Sequence, residues 1–322
     1  MPENRALFLA SEGCELMLRL IREAGYLRHG ALRVLSYACL ASSDAPAPTA
    51  PSAPPAPPAP TTGDDLRASL AAALVQNGAL KHIFPAFMGL GLAHTRREHG
   101  EGAADAEVEY CVGIVEALLA ALPRGGAGSP GLDRLRLVAK FSEDRGAKAQ
   151  RLVELRRRYD AGVRGCEEAA AAAAAEAARA GAAGEEEAEA EAEVAEAEAA
   201  VALAAAQGAL QRVDLIIGRL LVEGSVGRAD SAGSAGSADS AALRVRSEAA
   251  FCLRAKLHEQ GVSLVETLQS LSAYAAGLEG TGERERQHVL GMSRELALSW
   301  GLDAGAEEGE AEGGAGAGAA DA

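Results

Sequence analysis

The chain has 322 residues, a formal net charge of −15 and only 3% aromatic residues. Its acidity sits almost wholly in 161–200 and 301–322, so residues 1–160 are close to neutral and hold no basic excess to neutralise phosphates. That balance disfavours direct nucleic-acid binding. The five cysteines, odd in number and 25 or more residues apart, make neither a disulfide framework nor a zinc spacing. Cys14, Cys39, Cys111, Cys166 and Cys252 read instead as small hydrophobes, four of them in or beside apolar stripes, in a reducing compartment. Met1 to Arg5 lacks a signal-peptide pattern, and no segment reads as the ~20 apolar residues of a span, so no membrane is expected.

Four low-complexity stretches, 42–63, 167–200, 224–242 and 301–322, leave about 225 residues to fold, enough for one sizeable core. Ala6 to Ala10 reads as a helix tail, broken at Ser11-Glu12-Gly13. Leu16, Met17, Leu20 and Ile21 form the next stripe, which ends near Gly25, and Ala31, Leu32, Leu35, Ala38 and Cys39 form another. Ala45 to Pro60 alternates Ala and Pro, an extended polyproline spacer looping out between repeats or, less simply, a ligand for a Pro-recognition domain. Leu66, Leu70, Leu74 and Val75 then predict a helix that stops at Gln76-Asn77-Gly78. Leu80, Ile83, Phe84, Phe87 and Met88 predict a second, shortened by Pro85. After a polar loop, Val108, Cys111, Val112, Val115, Leu118, Leu119 and Leu122 predict a third, ended by Pro123.

The order of breaks and stripes is the same in both stretches. Gly13 and Gly78 are the matching breaks, 65 residues apart, and removing the Pro-rich run leaves 43, inside the ~40–47 residue period of armadillo and HEAT repeats. Short helices of this kind cannot bury their apolar faces alone and must stack on neighbours. The expected fold is therefore all-α, an armadillo/HEAT-like α-solenoid with low-complexity insertions.

Downstream, Leu132, Leu135, Leu137 and Val138 lead to Ser142, read as a helix N-cap followed by acids. The helix after it carries Leu152, Leu155 and Tyr159 on one face, with Arg151, Arg156, Arg157 and Arg158 elsewhere as a solvated face or a partner patch. Residues 167–200 read as an acidic linker or a lone helix, without an apolar stripe. Val201 to Val222 is amphipathic, a Ser-Ala-Gly linker covers 224–242, and three helices are predicted near 241–259, 262–278 and 283–300. The domain reading is armadillo-like repeats over 1–166, that linker, a C-terminal helical region over 201–300, and an acidic tail over 301–322, disordered by composition.

Chemistry is sparse. His94 and His99 are five apart, off a shared helical face, with no third ligand in view; Gly89-Leu90-Gly91 follows a helix and is no phosphate loop. No catalytic residue, metal or cofactor is expected, and the protein reads as no enzyme.

The residues also carry a resemblance. Glu3-Asn4-Arg5, Phe8-Leu9, Glu12-Gly13, Leu16-Met17, Ala31 to Leu35, Ile83 to Met88, Lys140-Phe141, Arg151 to Leu155, and Leu210 to Ile217 resemble the beta-catenin-like, armadillo-type proteins associated with the spliceosome. The likeness covers the C-terminal half of such a protein, and the N-terminal repeats of the family have no counterpart in this chain. It implies a nuclear, non-enzymatic scaffold of pre-mRNA splicing that works with the Prp19-type complex and binds basic localisation-type segments of its partners. Outside that resemblance, a generic armadillo or HEAT adaptor, or a fragment without autonomous function, stays open, as does homo-oligomer formation. In solenoid geometry the third helix of each repeat lines the concave surface. Arg33 and Tyr37 on one such helix, and Glu109 and Glu116 on the other, lie off the apolar stripes, either as groove residues for a partner or as ordinary exposed side chains.

Overall fold

The computed structural model describes residues 2–23, 25–40, 63–125, 131–183, 186–225, 237–278 and 282–300. The Pro-rich run and the acidic tail lie outside them. Among the described residues the chain forms α1 (Pro2–Ala10), α2 (Gly13–Glu23), a 3₁₀ turn (Gly25–Leu27), α3 (Arg28–Cys39), α4 (Gly63–Gln76), α5 (Leu80–Phe87), α6 (Leu92–His99) and α7 (Glu101–Ala121). These are followed by α8 (Leu132–Ala139), α9 (Glu143–Ala183), α10 (Glu186–Glu223), α11 (Ser237–Glu259), α12 (Leu264–Gly277) and α13 (Glu283–Ser299), with no strand among them. The architecture is an all-α, armadillo-like solenoid.

The predicted breaks fall where chain geometry needs them. Gly78 takes the left-handed conformation (φ 79°) that ends α4, and its amide donates to the Val75 carbonyl. α5 is only eight residues long with Pro85 inside it. At the N-terminal break the left-handed residue is Glu12 instead of a glycine. The stretch 92–99, which reads as a polar loop, is helical: α6 is a polar helix held between Gly91 and Gly100.

Ser142 does not cap α9. Its Oγ donates back to the Ala139 carbonyl, and three successive left-handed residues, Asp144, Arg145 and Gly146, reverse the chain before the helix proper begins. The reversal drops Phe141 into the core, edge-on to Phe84 with ring centres 5.6 Å apart.

α9 and α10 run antiparallel as a long hairpin, with Arg156 of one donating to Asp214 of the other at 2.9 Å. The Ala/Glu tract that reads as a linker or lone helix forms the outer halves of these two helices, whose described side chains are mostly exposed. Similarly, α11 begins at Ser237, inside the stretch read as linker. The inner half of α10 is the axis of the core. Val213, Ile216, Ile217, Leu220, Leu221 and Val222 are all fully buried, covered by α7, α9, α11, α12 and α13. Gly218 permits a close approach of α13, since a Cβ there would meet the Met292 side chain at 3.0 Å.

By length and hydropathy Ala190–Glu223 is apolar enough to cross a membrane, a consequence of its alanines that the search for a bulky apolar run misses. Its inner half is instead enclosed by helices and carries three paired charges. Asp214 meets Arg156; Arg219 meets Glu116 of α7; Glu223 meets Arg134 of α8 at 2.6 Å, Arg246 of α11 at 3.1 Å and Arg124 at 3.5 Å. Arg134 also donates to the Leu119 and Leu122 carbonyls at the end of α7, satisfying acceptors the helix leaves open. Burial lowers the Arg134 pKa, while Glu223 holds its charge in place.

Two outcomes follow from these pairs. Glu223→Ala leaves three arginines facing one another and should cost about 3–5 kcal/mol. The expected reading is a lower urea midpoint at unchanged slope, and a loss below about 1 kcal/mol would count against a structural role. Burial pushes the Asp214 carboxyl up from 3.8 to about 6, against the opposing pull of Arg156 and Ser270. The folded state therefore holds that proton more tightly than the unfolded chain, so the group's contribution is complete below 3.8 and fades as pH rises to about 6. The difference in unfolding free energy between the wild type and Asp214→Asn should fall across that window and be flat above it.

Candidate functional site

The four residues singled out as groove candidates do not share a surface. Arg33 and Tyr37 lie on the solvent side of α3, the guanidinium 5.7 Å from the centre of the ring. Glu116 points the other way along the stack, onto the buried Arg219 of α10. Glu109, one heptad earlier on α7, is half-buried toward the α9–α10 hairpin, where burial raises its pKa against the pull of Arg212. The inner half of α10 thus covers the α7 face that solenoid geometry leaves open. The sequence signal for this was present: Asp214, Arg219 and Glu223 interrupt an otherwise continuous apolar run.

The arginines of α9 are also struts more than a patch. Arg156 is buried between Asp214 and Glu266; Arg158 meets Asp105 of α7 at 2.7 Å; Arg157 donates to Gln260 and Arg151 to the Phe87 carbonyl. Each reaches a different neighbour.

The histidine cluster proves to be a fastening for α6. Thr95 is buried and donates to Glu107 at 2.6 Å; Glu107, fully buried, is paired with Arg28, which donates to the Leu90 carbonyl at 2.7 Å. His99 sits 3.1 Å from the Tyr26 carbonyl and packs on His29, which packs on Tyr110. No group of three or more His, Cys, Asp or Glu able to hold a metal occurs among the described residues. Three cysteines, Cys14, Cys39 and Cys111, are buried; Cys166 and Cys252 are half-buried, and burial pushes the Cys39 thiol up to about 12. Such a thiol stays protonated and unreactive at neutral pH.

A cleft of about 550 Å³ opens at the seam between the two repeats, where α2 packs on α4 and α5. Glu12, Glu15, Arg19, Arg22, Asn77 and His82 line it. Glu23 draws both arginines to one end, with Arg22 donating to it and Arg19 at 3.8 Å. Glu15 accepts from the Asn77 amide, so Glu12 and Glu15 present carboxylates at the other end. Burial, with Arg22 and Lys81 nearby, lowers the His82 pKa. The stripe pattern does not mark this cleft because Glu15, Arg19 and Arg22 are the polar positions of α2, and only the fold brings them against Asn77 and His82.

Residues 60–237, more than half of the chain, match the family described as catenin-beta-like, Arm-motif containing nuclear proteins. The chain belongs to this family. The catenin-beta-like match runs from the start of α4 to the start of α11 and so takes in Asp214, Arg219 and Glu223 with their partners from α7, α8 and α9. A curated relative, the beta-catenin-like protein 1 homolog of Schizosaccharomyces pombe, is 23% identical over 167 residues. That stretch is 52% of this chain and 22% of the relative, so the chain matches about a fifth of the relative's length.

The fastening of α6 can be checked directly. Thr95→Val strands the Glu107 carboxylate without its hydroxyl donor and should cost about 1–3 kcal/mol. Hydrogen exchange should accelerate in α6 before the rest of the fold opens; unchanged protection would show that the bond does not hold α6 down.

Proposed function

We propose that this protein is a non-enzymatic armadillo scaffold of the nuclear pre-mRNA splicing machinery, binding basic localisation-type segments of splicing partners. The observation that carries the reading is membership of a nuclear, Arm-motif family, together with a helical stack whose buried charges are spent on holding helices in register. Prp19-type complex components are the expected partners, and the nucleus the expected compartment. The seam cleft supports the choice of a basic ligand. Its lining includes the carboxylates of Glu12 and Glu15, whereas Glu109 and Glu116 are turned toward the hairpin. An extended peptide crossing the seam would place a lysine or arginine at those carboxylates, with the exposed Leu16 as an apolar contact.

Two measurements test this. Affinity purification from nuclear extract should recover splicing components, and their absence would overturn the splicing assignment. A fluorescent Lys/Arg-rich peptide should lose about tenfold in affinity with Glu12→Lys/Glu15→Lys, the scale of two exposed charge contacts. Glu109→Gln should leave its binding unchanged. Binding indifferent to the cleft substitutions would remove the cleft from the proposal.

A further inference from the structure

Two helices present a second apolar face to solvent. On α3, Ala31, Leu32, Leu35 and Cys39 are buried, while Leu27, Gly30, Val34 and Tyr37 recur at helical spacing on the opposite side. Val34 is 44% and Tyr37 58% exposed, enough for a docking ridge running the length of the helix. On the outer half of α10, Ala192 is buried, and Ala199, Leu203 and Ala206 are half-buried on the same side. Val194, Ala197, Val201 and Ala204 occupy the other side, with Val194 59% and Val201 71% exposed. Among the described residues nothing covers either ridge.

Their flanks are opposite in charge. Residues 25–40 contain no carboxylate, and with Arg28 committed to the buried Glu107, Arg33 is the exposed base of the α3 face. Residues 190–208 contain Glu191, Glu193, Glu196 and Glu198 and no base. Arg33 is exposed beside Tyr37, the aromatic and cationic pairing that dominates binding hot spots. Glu191 and Glu198 flank the α10 ridge on one side and Glu193 on the other, the arrangement by which helices select partners through charge. Like ridges cannot pair: α10 against α10 sets glutamates together, and α3 against α3 sets arginines together. Only α3 against α10 is complementary.

We infer that the exposed face of α3 receives the outer half of α10 from a second copy of the chain. Such a contact uses two different surfaces, so it is head-to-tail, and an open assembly of any length keeps one unused α3 face and one unused α10 face. One helix laid on another is a small interface, and association is expected in the micromolar range. The inference is independent of the splicing assignment and of the seam cleft.

Sedimentation velocity of the full chain tests it. The wild type should grow beyond a dimer between about 5 and 200 µM, the range a small interface implies. Tyr37→Glu puts an acid on the α3 ridge and Val201→Glu puts one on the α10 ridge; both sites are exposed, so helicity and urea midpoint should be unchanged. Each variant by itself should be monomeric. Mixed, they should form a closed one-to-one complex, since the first supplies an intact α10 and the second an intact α3. Should either variant misfold, Val34→Glu and Val194→Glu form the same pair of tests. A wild type that stays monomeric, as it would if a segment of its own chain filled the α3 face, overturns the inference. So does self-association that survives either substitution, or a mixture that yields no complex.

Discussion

The inner half of α10 is buried on every side from Val213 to Glu223, and the rest of the structure is arranged to keep water from it. A helix of that kind cannot rest on a single neighbour; it needs a sleeve, and α7, α9, α11, α12 and α13 supply one. Apolar contact alone would let those helices slide or exchange places, since it is nearly indifferent to register. Asp214, Arg219 and Glu223 remove that freedom, because a buried charge tolerates only the position where its partner stands. Three charges spaced along one helix select three different neighbours, α9, α7 and the α8–α11 pair. The short repeat helices α1 to α5 then stack outward from α7.

Helix count and order were largely legible in the sequence, because apolar spacing reports which face must be covered. The ends of α4 and α7 followed from Asn77-Gly78 and Pro123, and the shortness of α5 from the Pro85 inside it. The chain departs from that reading where tertiary contacts decide. Residues 92–99 have no apolar stripe, and they are helical because Thr95 finds a buried carboxylate in Glu107. Ser142 has the chemistry of a cap, but the left-handed run Asp144–Gly146 moves the helix start past it. Arg156 looks like its neighbours Arg157 and Arg158, and only the position of Asp214 on another helix makes it a core residue. A run of like side chains gives no hint which member is buried.

The same limit explains the misplaced groove. Reading Glu109 and Glu116 as surface assumes that the concave side of the repeat is open, and the hairpin that closes it lies about a hundred residues further along the chain. What the sequence did mark, without saying what it meant, was a set of charges inside apolar runs. Such charges point inward to partners at least as often as outward to ligands, and here the buried ones point inward.

The α9–α10 hairpin joins two regimes in one pair of helices. Near its base the inward side chains are enclosed by neighbouring helices, whereas in the outer halves the described side chains are mostly exposed. Residues removed from both helices in step, a heptad from each, would shorten the arm while leaving Arg156 opposite Asp214 and the base undisturbed. At about 1.5 Å per residue, each such excision draws the tip in by roughly 10 Å. The arm is in effect an adjustable spar, whose length can drift in a lineage without cost to the folded body while its reach changes in steps.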